Sequence, residues 1–324
     1  MTKITELRRQ PRNLLCERHA AGKSHSVFTE DMERILLSMN KYVLVSFAAV
    51  AGLLSIVMPI RIHQTVHAQE NTAKDFVPPA VFQAAGPDRA SIQSSVDGFR
   101  KAVDPDNQIN GNNPGPLAIG RREINWDGVG GTLATTDPVT PFNTFLNTRG
   151  SQFTTPGIGL TQAPPSGGPQ GGLAALFNNP TYATTFKPFS DFRLFTPVGS
   201  NVTNALFFIP GSGGNTPAAV RGFGVVFTDV DQPDGSGPSE AKSNRGASTL
   251  VEFFGADGRL LFSSTVPASP GDGGQSFFGI VFNDARIASV RITAGDVALG
   301  PDDDAKHDVV AMDDFIYGEP QALP

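Results

Sequence analysis

Apolar and polar positions keep a strand-like rhythm over the last part of this chain. Eight short runs follow one another from residue 189 to residue 319: DFRLFTPV, NVTNALFFIP, RGFGVVFTDVD, STLVEFFGA, RLLFSSTVP, SFFGIVFND, ARIASVRITAG and HDVVAMDDFIYGE. Gly, Pro, Asp and Asn separate them, and Ala256-Asp257-Gly258 reads as a tight hairpin turn. Regular short strands without helices between them predict a two-sheet sandwich or a barrel, and the sandwich is the reading adopted. In ARIASVRITAG the apolar Ile287, Val290 and Ile292 alternate around a bend, so one face is expected to meet solvent. In GFGVVFTDV the alternation is blurred, which predicts a strand buried on both faces.

Upstream the rhythm differs. Ile92, Val96, Phe99 and Val103 fall at helical spacing behind Asp88, which predicts a single amphipathic helix with Asp88 as its N-cap. DPDNQINGNNPGP is a turn-rich loop, and RREINWDG, which carries the lone Trp126, is expected to be the first strand. Residues 129–185 are rich in Gly, Pro and Thr, with apolar patches at 142–146 and 173–177, and read as decoration rather than sheet core. The organisation is therefore a lead at 1–38, an export segment at 39–68 and an Ala/Pro/Gln-rich linker at 69–87. A helix plus loop-rich segment follows at 88–185, then a sandwich core at 186–319 and a tail at 320–324.

RGFGVVFTDVD, VEFFGADGRLLFSSTVPA, SFFGIVFNDARIASVRITAG and VVAMDDFIYGE together resemble the jelly-roll domain of many secreted bacterial proteins. That group is similar to galactose-binding-like and carbohydrate-binding modules, and to the ectodomains of PEP-CTERM exported proteins. The sequence closes on GEPQALP, so the apolar helix and basic tail of a PEP-CTERM sorting anchor are not expected. The resemblance implies an all-β, jelly-roll-like antiparallel sandwich with one N-terminal helix and long Gly/Pro-rich loops. It further implies a binding or surface module, without identifying a ligand.

An uncharged run, YVLVSFAAVAGLLSIVMPI, spans residues 42–60, with Arg34 and Lys41 before it and the small residues Val66 and Ala68 after it. Positive, apolar, small-residue order is the anatomy of a secretory signal, with Met39 the tidiest start. The same run is long enough to serve as an uncleaved anchor. Either way the remainder is expected outside the cytoplasm, at the cell surface, in the periplasm or in the medium. The membrane then enters only through this segment.

Export changes what chemistry remains. Cys16 precedes the run, so the exported part has neither disulfide nor thiol nucleophile. From Gln69 onward 16 Lys and Arg face 26 Asp and Glu, a net charge of −10. That excludes nucleic acid and anionic membrane surfaces as natural partners and suits cations.

The acidic pattern suggests calcium. Asp229-Val-Asp231-Gln-Pro-Asp234-Gly235 ends one strand run and enters a Gly/Ser/Pro loop. Calcium wants six to eight oxygens, which closely spaced carboxylates in a tight loop supply. Against an EF-type loop, proline holds position five, the third Asp and the Gly come one place late, and Glu240 falls at position twelve. The alternative is a solvated acidic turn. In the last run Asp313 and Asp314 sit among apolar residues, and alternation sends them to opposite faces. The resemblance implies a calcium-ligating acid at this place, so either could hold a structural calcium. A partner role for Arg286 or Arg291 is the competing reading. Asp302-Asp303-Asp304 reads as a solvated loop, and Asp104-Pro-Asp106-Asn107-Gln108-Ile-Asn110-Gly111 as a turn. Asn201-Val-Thr203 fits a glycosylation sequon but is set aside for a bacterial export signal.

Catalysis finds little in the sequence. His307 is the one exported histidine, no Gly-x-Ser-x-Gly elbow accompanies it, and a histidine zinc site is excluded by count. An acid pair involving Glu123, Glu252 or one of the Asp residues stays open for glycoside chemistry. Exposed Trp and Tyr usually stack on sugar rings, and the exported chain has only Trp126, Tyr182 and Tyr317. The abundant Phe residues are expected in the core. The expectation is thus a non-catalytic, calcium-stabilised exported sandwich that binds a glycan or surface protein. A secreted carbohydrate-active hydrolase and a purely structural envelope protein are the alternatives.

Overall fold

Phe223, Val225 and Phe227 alternate with Gly222, Gly224 and Val226 along one strand, and every one of them is buried. The reason lies in what covers each face. A computed structural model describes residues 77–128, 133–231, 249–269, 271–301 and 307–323. The apolar run at 42–60, Cys16, Asp234, Glu240 and Asp302 to Asp304 lie outside the described residues.

In chain order the strands begin with β1 (Ala80–Gly86), β2 (Arg121–Ile124), β3 (Ser151–Thr154), β4 (Gly159–Ala163), β5 (Leu194–Val198) and β6 (Val202–Phe207). They continue with β7 (Ala218–Ala219), β8 (Gly222–Thr228), β9 (Leu250–Phe254), β10 (Leu260–Thr265) and β11 (Gln275–Val281). The last are β12 (Ser289–Thr293), β13 (Ala311–Gly318) and β14 (Gln321–Ala322). A long helix α1 (Arg89–Val103) and three single-turn helices, α2 (Leu146–Arg149), α3 (Gly172–Leu176) and α4 (Tyr182–Thr185), complete the described elements. The chain is mostly β, and its sheets are antiparallel.

One sheet has seven strands, ordered β1-β11-β8-β13-β5-β4 with β2 also on β13. The other has five, ordered β10-β9-β12-β6-β3, and β14 pairs with β7 apart from both. Phe195, Phe223, Phe227 and Phe315 from the larger sheet share one apolar cluster with Phe207, Val251, Phe253 and Ile292 from the smaller. This common core makes the two sheets the layers of a sandwich.

Outside the larger sheet, α1 lays Ile92, Val96, Phe99 and Val103 against Val226, Phe277, Val281 and Ile316. Asp88 starts this helix: its Oδ1 accepts hydrogen bonds from the Ser91 amide at 3.0 Å and the Ser91 hydroxyl at 2.8 Å. Phe99 reaches the sheet because Gly224 and Gly279 stand opposite each other in register. A Cβ on Gly279 would lie 2.8 Å from the Phe99 ring, and one on Gly224 3.0 Å. Two strand glycines thus make a flat seat for one aromatic ring. α3 and α4 cover the other end, where Leu173 and Tyr182 pack with Ala163, Leu194 and Ala311.

The smaller sheet is different. In β6, β9 and β12 buried positions alternate with half-buried or exposed ones. Among the described residues one face therefore joins the core and the other stays bare. The β9–β10 connection turns at Gly258, whose amide bonds the Gly255 carbonyl at 3.0 Å and whose φ is 75°.

Two stretches differ from expectation. Residues 80–86, expected as linker, form β1, in unbroken seven-residue register with β11. Phe82 and Ala84 face the helix-side cluster, so this stretch buries apolar surface rather than merely spanning a gap. Within 129–185, expected as decoration, β3 and β4 are full members of the two sheets. β3 and β4 are only four and five residues long and carry Ser151, Gln152, Thr154, Thr161 and Gln162, so they leave little apolar pattern in the sequence.

Candidate functional site

The bare face of the five-stranded sheet is built by register. Thr154 stands opposite Asn204, Asn204 opposite Arg291, Arg291 opposite Glu252 and Glu252 opposite Ser263. Direct cross-strand partners point to the same side of a sheet, so these five residues form a polar row across all five strands. The adjoining row runs Gln152, Leu206, Ser289, Phe254 and Leu260. Arg291 Nε donates to Asn204 Oδ1 at 3.2 Å, and its guanidinium carbon lies 5.8 Å from the Phe254 ring centroid. Between Asn204, Leu206, Phe254 and Arg291 the surface dips into an open depression of about 410 Å³. Amide, guanidinium, carboxylate and hydroxyl groups stand there at strand spacing, beside an apolar ring. This suits a hydroxylated ligand or a polar protein surface.

The paired acids of the last strand lie on the opposite side of the molecule. Met312 and Phe315 both belong to the inter-sheet core, although three positions separate them. A bulge between them shifts the register against β8. Asp313 and Asp314 consequently share the outer face, where strict alternation would have split them. Asp313 Oδ2 accepts the amides of Phe189 at 2.6 Å and Ser190 at 3.2 Å, and its Oδ1 accepts the Ser190 hydroxyl at 3.0 Å. Asp314 Oδ2 lies 3.7 Å from Arg100 Nη2, while its buried Oδ1 has no hydrogen-bond partner. Arg100 is therefore the cation at this place, and Arg286 pairs instead with Asp284. Arg100 is shared, since it also makes two hydrogen bonds to Glu123, at 3.2 and 2.9 Å, and one to Asp97. Burial, with the neighbouring Asp314 charge, pushes the Asp313 carboxyl well above the usual carboxylate range. Burial likewise pushes Asp314 up to about 6. The N–H and O–H donors on Asp313 favour its charged form and oppose this rise, but burial beside a second carboxyl outweighs them.

Asp229 and Asp231 end β8 elsewhere. Asp229 is buried with φ at 70°, and its amide bonds the Gly274 carbonyl at 2.9 Å. Asp231 Oδ1 accepts the Gly271 amide at 2.9 Å, and its own amide donates to Asp308 Oδ1 at 3.2 Å. The Asp308 amide donates in turn to Asp296 Oδ1 at 2.9 Å, and His307 Nδ1 lies 3.6 Å from the same oxygen. The carboxylates of Asp231, Asp308 and Asp296 cap loop amides. Among the described residues no three His, Cys, Asp or Glu side chains form a metal-holding group, and Asp313 and Asp314 are not brought to Asp229 and Asp231.

Sequence reasoning did not find Arg100, Ser190, Arg122 or Glu319. Arg122 is wholly buried and bonds Glu319 through Nε and Nη2, both at 2.7 Å. A cavity of about 160 Å³ near the end of α1 is lined by Asp104, Asp106, Arg221, Asp284 and Glu319. Its buried acids are taken: Arg121 holds Asp104 at 2.8 Å, and Arg122 holds Glu319. The doubled arginine in RREI was the available signal, because polar-polar neighbours inside a strand require a partner on each face. No protein-family model, curated protein or solved structure matches this chain.

Proposed function

We propose that the chain is an exported, non-catalytic binding module of jelly-roll winding, which takes a glycan or a surface protein on the bare face of its five-stranded sheet. The strand order supports the winding. β5, β13, β8 and β11 lie side by side in one sheet, and β6, β12, β9 and β10 in the other. The chain crosses between them from β5 to β6, from β6 by way of β7 to β8, from β8 to β9, and at each step from β10 to β13. Eight strands wound as a double Greek key would take this order, which supports the reading.

The observation that carries the binding reading is the polar row of Asn204, Arg291 and Glu252 beside Phe254 on a face that no helix among the described residues covers. The hydrolase alternative needs two accessible carboxyls across a cleft. Asp313 and Asp314 are adjacent and buried, and the buried acids of the small cavity are paired with arginine. Export rests on the apolar run at 42–60 and the small residues that follow it.

Binding of the full-length chain to a panel of neutral and uronate-bearing polysaccharides tests the reading. Arg291→Ala is expected to lose tenfold or more in affinity at unchanged melting temperature, as for a lost charge-assisted hydrogen bond. Equal binding by Arg291→Ala removes this face, and an empty panel moves it to a protein partner. A structural calcium at the strand end bearing Asp229 and Asp231 rests on the acidic pattern of the sequence alone, since among the described residues no three carboxylates converge. A melting temperature that neither rises with calcium nor falls with chelator removes that part.

A further inference from the structure

We propose that the chain forms a two-fold dimer through antiparallel pairing of β1 with β1 of a second copy, which joins two seven-stranded sheets into one. Among the described residues β1 is the terminal strand of its sheet, bonded to β11 along one edge only. The other sheet ends are treated differently. Residues 136–142 run along both β4 and β3: Val139 and Leu160 exchange backbone hydrogen bonds, as do Phe142 and Phe153, and the Thr136 amide bonds the Gln162 carbonyl. β10 carries a bulge between Leu260 and Phe262. Covering and bulging are how sheets blunt their edges. β1 has neither among the described residues, and its sequence AVFQAAG has no charge and no proline.

The occupant follows from the sequence around the strand. Pro78 and Pro79 precede it and Pro87 follows it. Proline cannot donate to a ladder, so only residues 80–86 offer a regular edge. An antiparallel partner of equal length uses the whole edge only when centred on Gln83. In that register Gln83 meets its own copy, Phe82 meets Ala84 and Val81 meets Ala85. Large side chains therefore stand against small ones on both faces, with an amide pair on the axis. A two-fold interface must be self-complementary in this way. The net charge of −10 on residues 69–324 disfavours most approaches between copies, and this uncharged strand opposes no carboxylates. Val81, 44% exposed, gains cover by the pairing.

Cysteine crosslinking of the purified full-length chain tests both dimer and register, in a Cys16→Ser background that removes the only native thiol. Directly opposed residues of antiparallel strands have Cα atoms about 4.5–5.5 Å apart. That separation suits a disulfide. Gln83→Cys is expected to give a reducible dimer on mild oxidation. Val81→Cys alone is not, because its copies are offset by about 13 Å along the strands. Mixing Val81→Cys with Ala85→Cys restores the crosslink. Gln83→Lys, which places like charges on the axis, is expected to halve the mass by sedimentation at unchanged melting temperature. A monomeric wild type overturns the proposal and leaves the edge to a strand of another protein. Equal crosslinking by Gln83→Cys and Val81→Cys, or a dimer that survives Gln83→Lys, overturns it as well.

Discussion

The guanidinium of Arg122 and the carboxylate of Glu319 meet in two hydrogen bonds of 2.7 Å, across 197 residues of sequence and out of reach of solvent. Each partner also holds loop. Arg122 donates to the carbonyls of Gly111 and Asn113, and Glu319 accepts from Asn110 Nδ2 and the Leu117 amide. The turn-rich stretch after α1 is thereby fastened to the end of β13. Glu319→Ala should leave a buried, unpaired guanidinium and cost about 3–5 kcal/mol of stability, as broken buried pairs do. Denaturant unfolding measures the loss. Replacing Arg122 and Glu319 together by apolar residues should cost less than the single change, because no charge is then stranded. A single-variant loss under about 1 kcal/mol would mean that water reaches the pair.

The Gly224–Gly279 seat under Phe99 makes a second, independent prediction. Gly279→Ala places a Cβ 2.8 Å from a ring that is itself buried, so ring or helix must shift. Overpacking of this kind costs about 1–3 kcal/mol. Phe99→Leu in the same chain should recover part of that loss, since a smaller side chain vacates the space. Additive losses in the double variant would show that the glycine matters for the strands and not for the helix.

The same elements show what the sequence could and could not say. Each of the eight runs holds one strand, because solvent on one face or apolar layers on both leave a direct mark on residue order. The stripe of Ile92, Val96, Phe99 and Val103 is legible for the same reason. β1 is not, since prolines at both ends and three alanines disguise an edge strand as a linker. The common placement of Asp313 and Asp314 is not legible either. It depends on one bulge, and period-two reasoning sends adjacent residues apart. Arg100 meets Glu123 and Asp314, and Arg122 meets Glu319, each at least 23 positions away, a distance only the folded chain closes.

The buried Asp313–Asp314 pair predicts how stability changes with pH. Both carboxyls are raised by burial, Asp314 to about 6, above the ordinary value they take in the unfolded chain. The folded state therefore binds more protons than the unfolded one above about pH 4, and unfolding free energy falls as pH rises from there through 6. The groups facing the pair are Arg100 from α1, Glu123 from β2 and the Ser190 hydroxyl, with Asp97 of α1 meeting Arg100 alone. Asp314→Asn keeps the shape without the charge. It should be more stable than wild type at pH 8, with the gap closing toward pH 4. Melting temperatures of the two proteins across that range read the gap, and a constant difference would show that Asp314 does not titrate here.

Trp126 offers a last test, one that separates the core from the proposed binding face. It is wholly buried, stacked on Phe195 with centroids 3.7 Å apart, and its Nε1 donates to the Asp313 carbonyl at 2.8 Å. Phe142, Phe145, Phe153 and Phe315 close around the same indole at centroid distances of 4.9 to 6.3 Å. As the only tryptophan in the chain it reports on this cluster alone. Its emission should resist a soluble quencher in the folded protein and shift to the red on unfolding. A ligand on the Arg291 face should leave it unchanged, since the indole lies within the sandwich core and not on the bare sheet. Trp126→Phe should cost about 1–3 kcal/mol through lost volume and the stranded Asp313 carbonyl. Affinity at the open face should stay intact. Quenching of Trp126 by an added glycan would place the ligand at the indole instead, and would move the binding site off the five-stranded sheet.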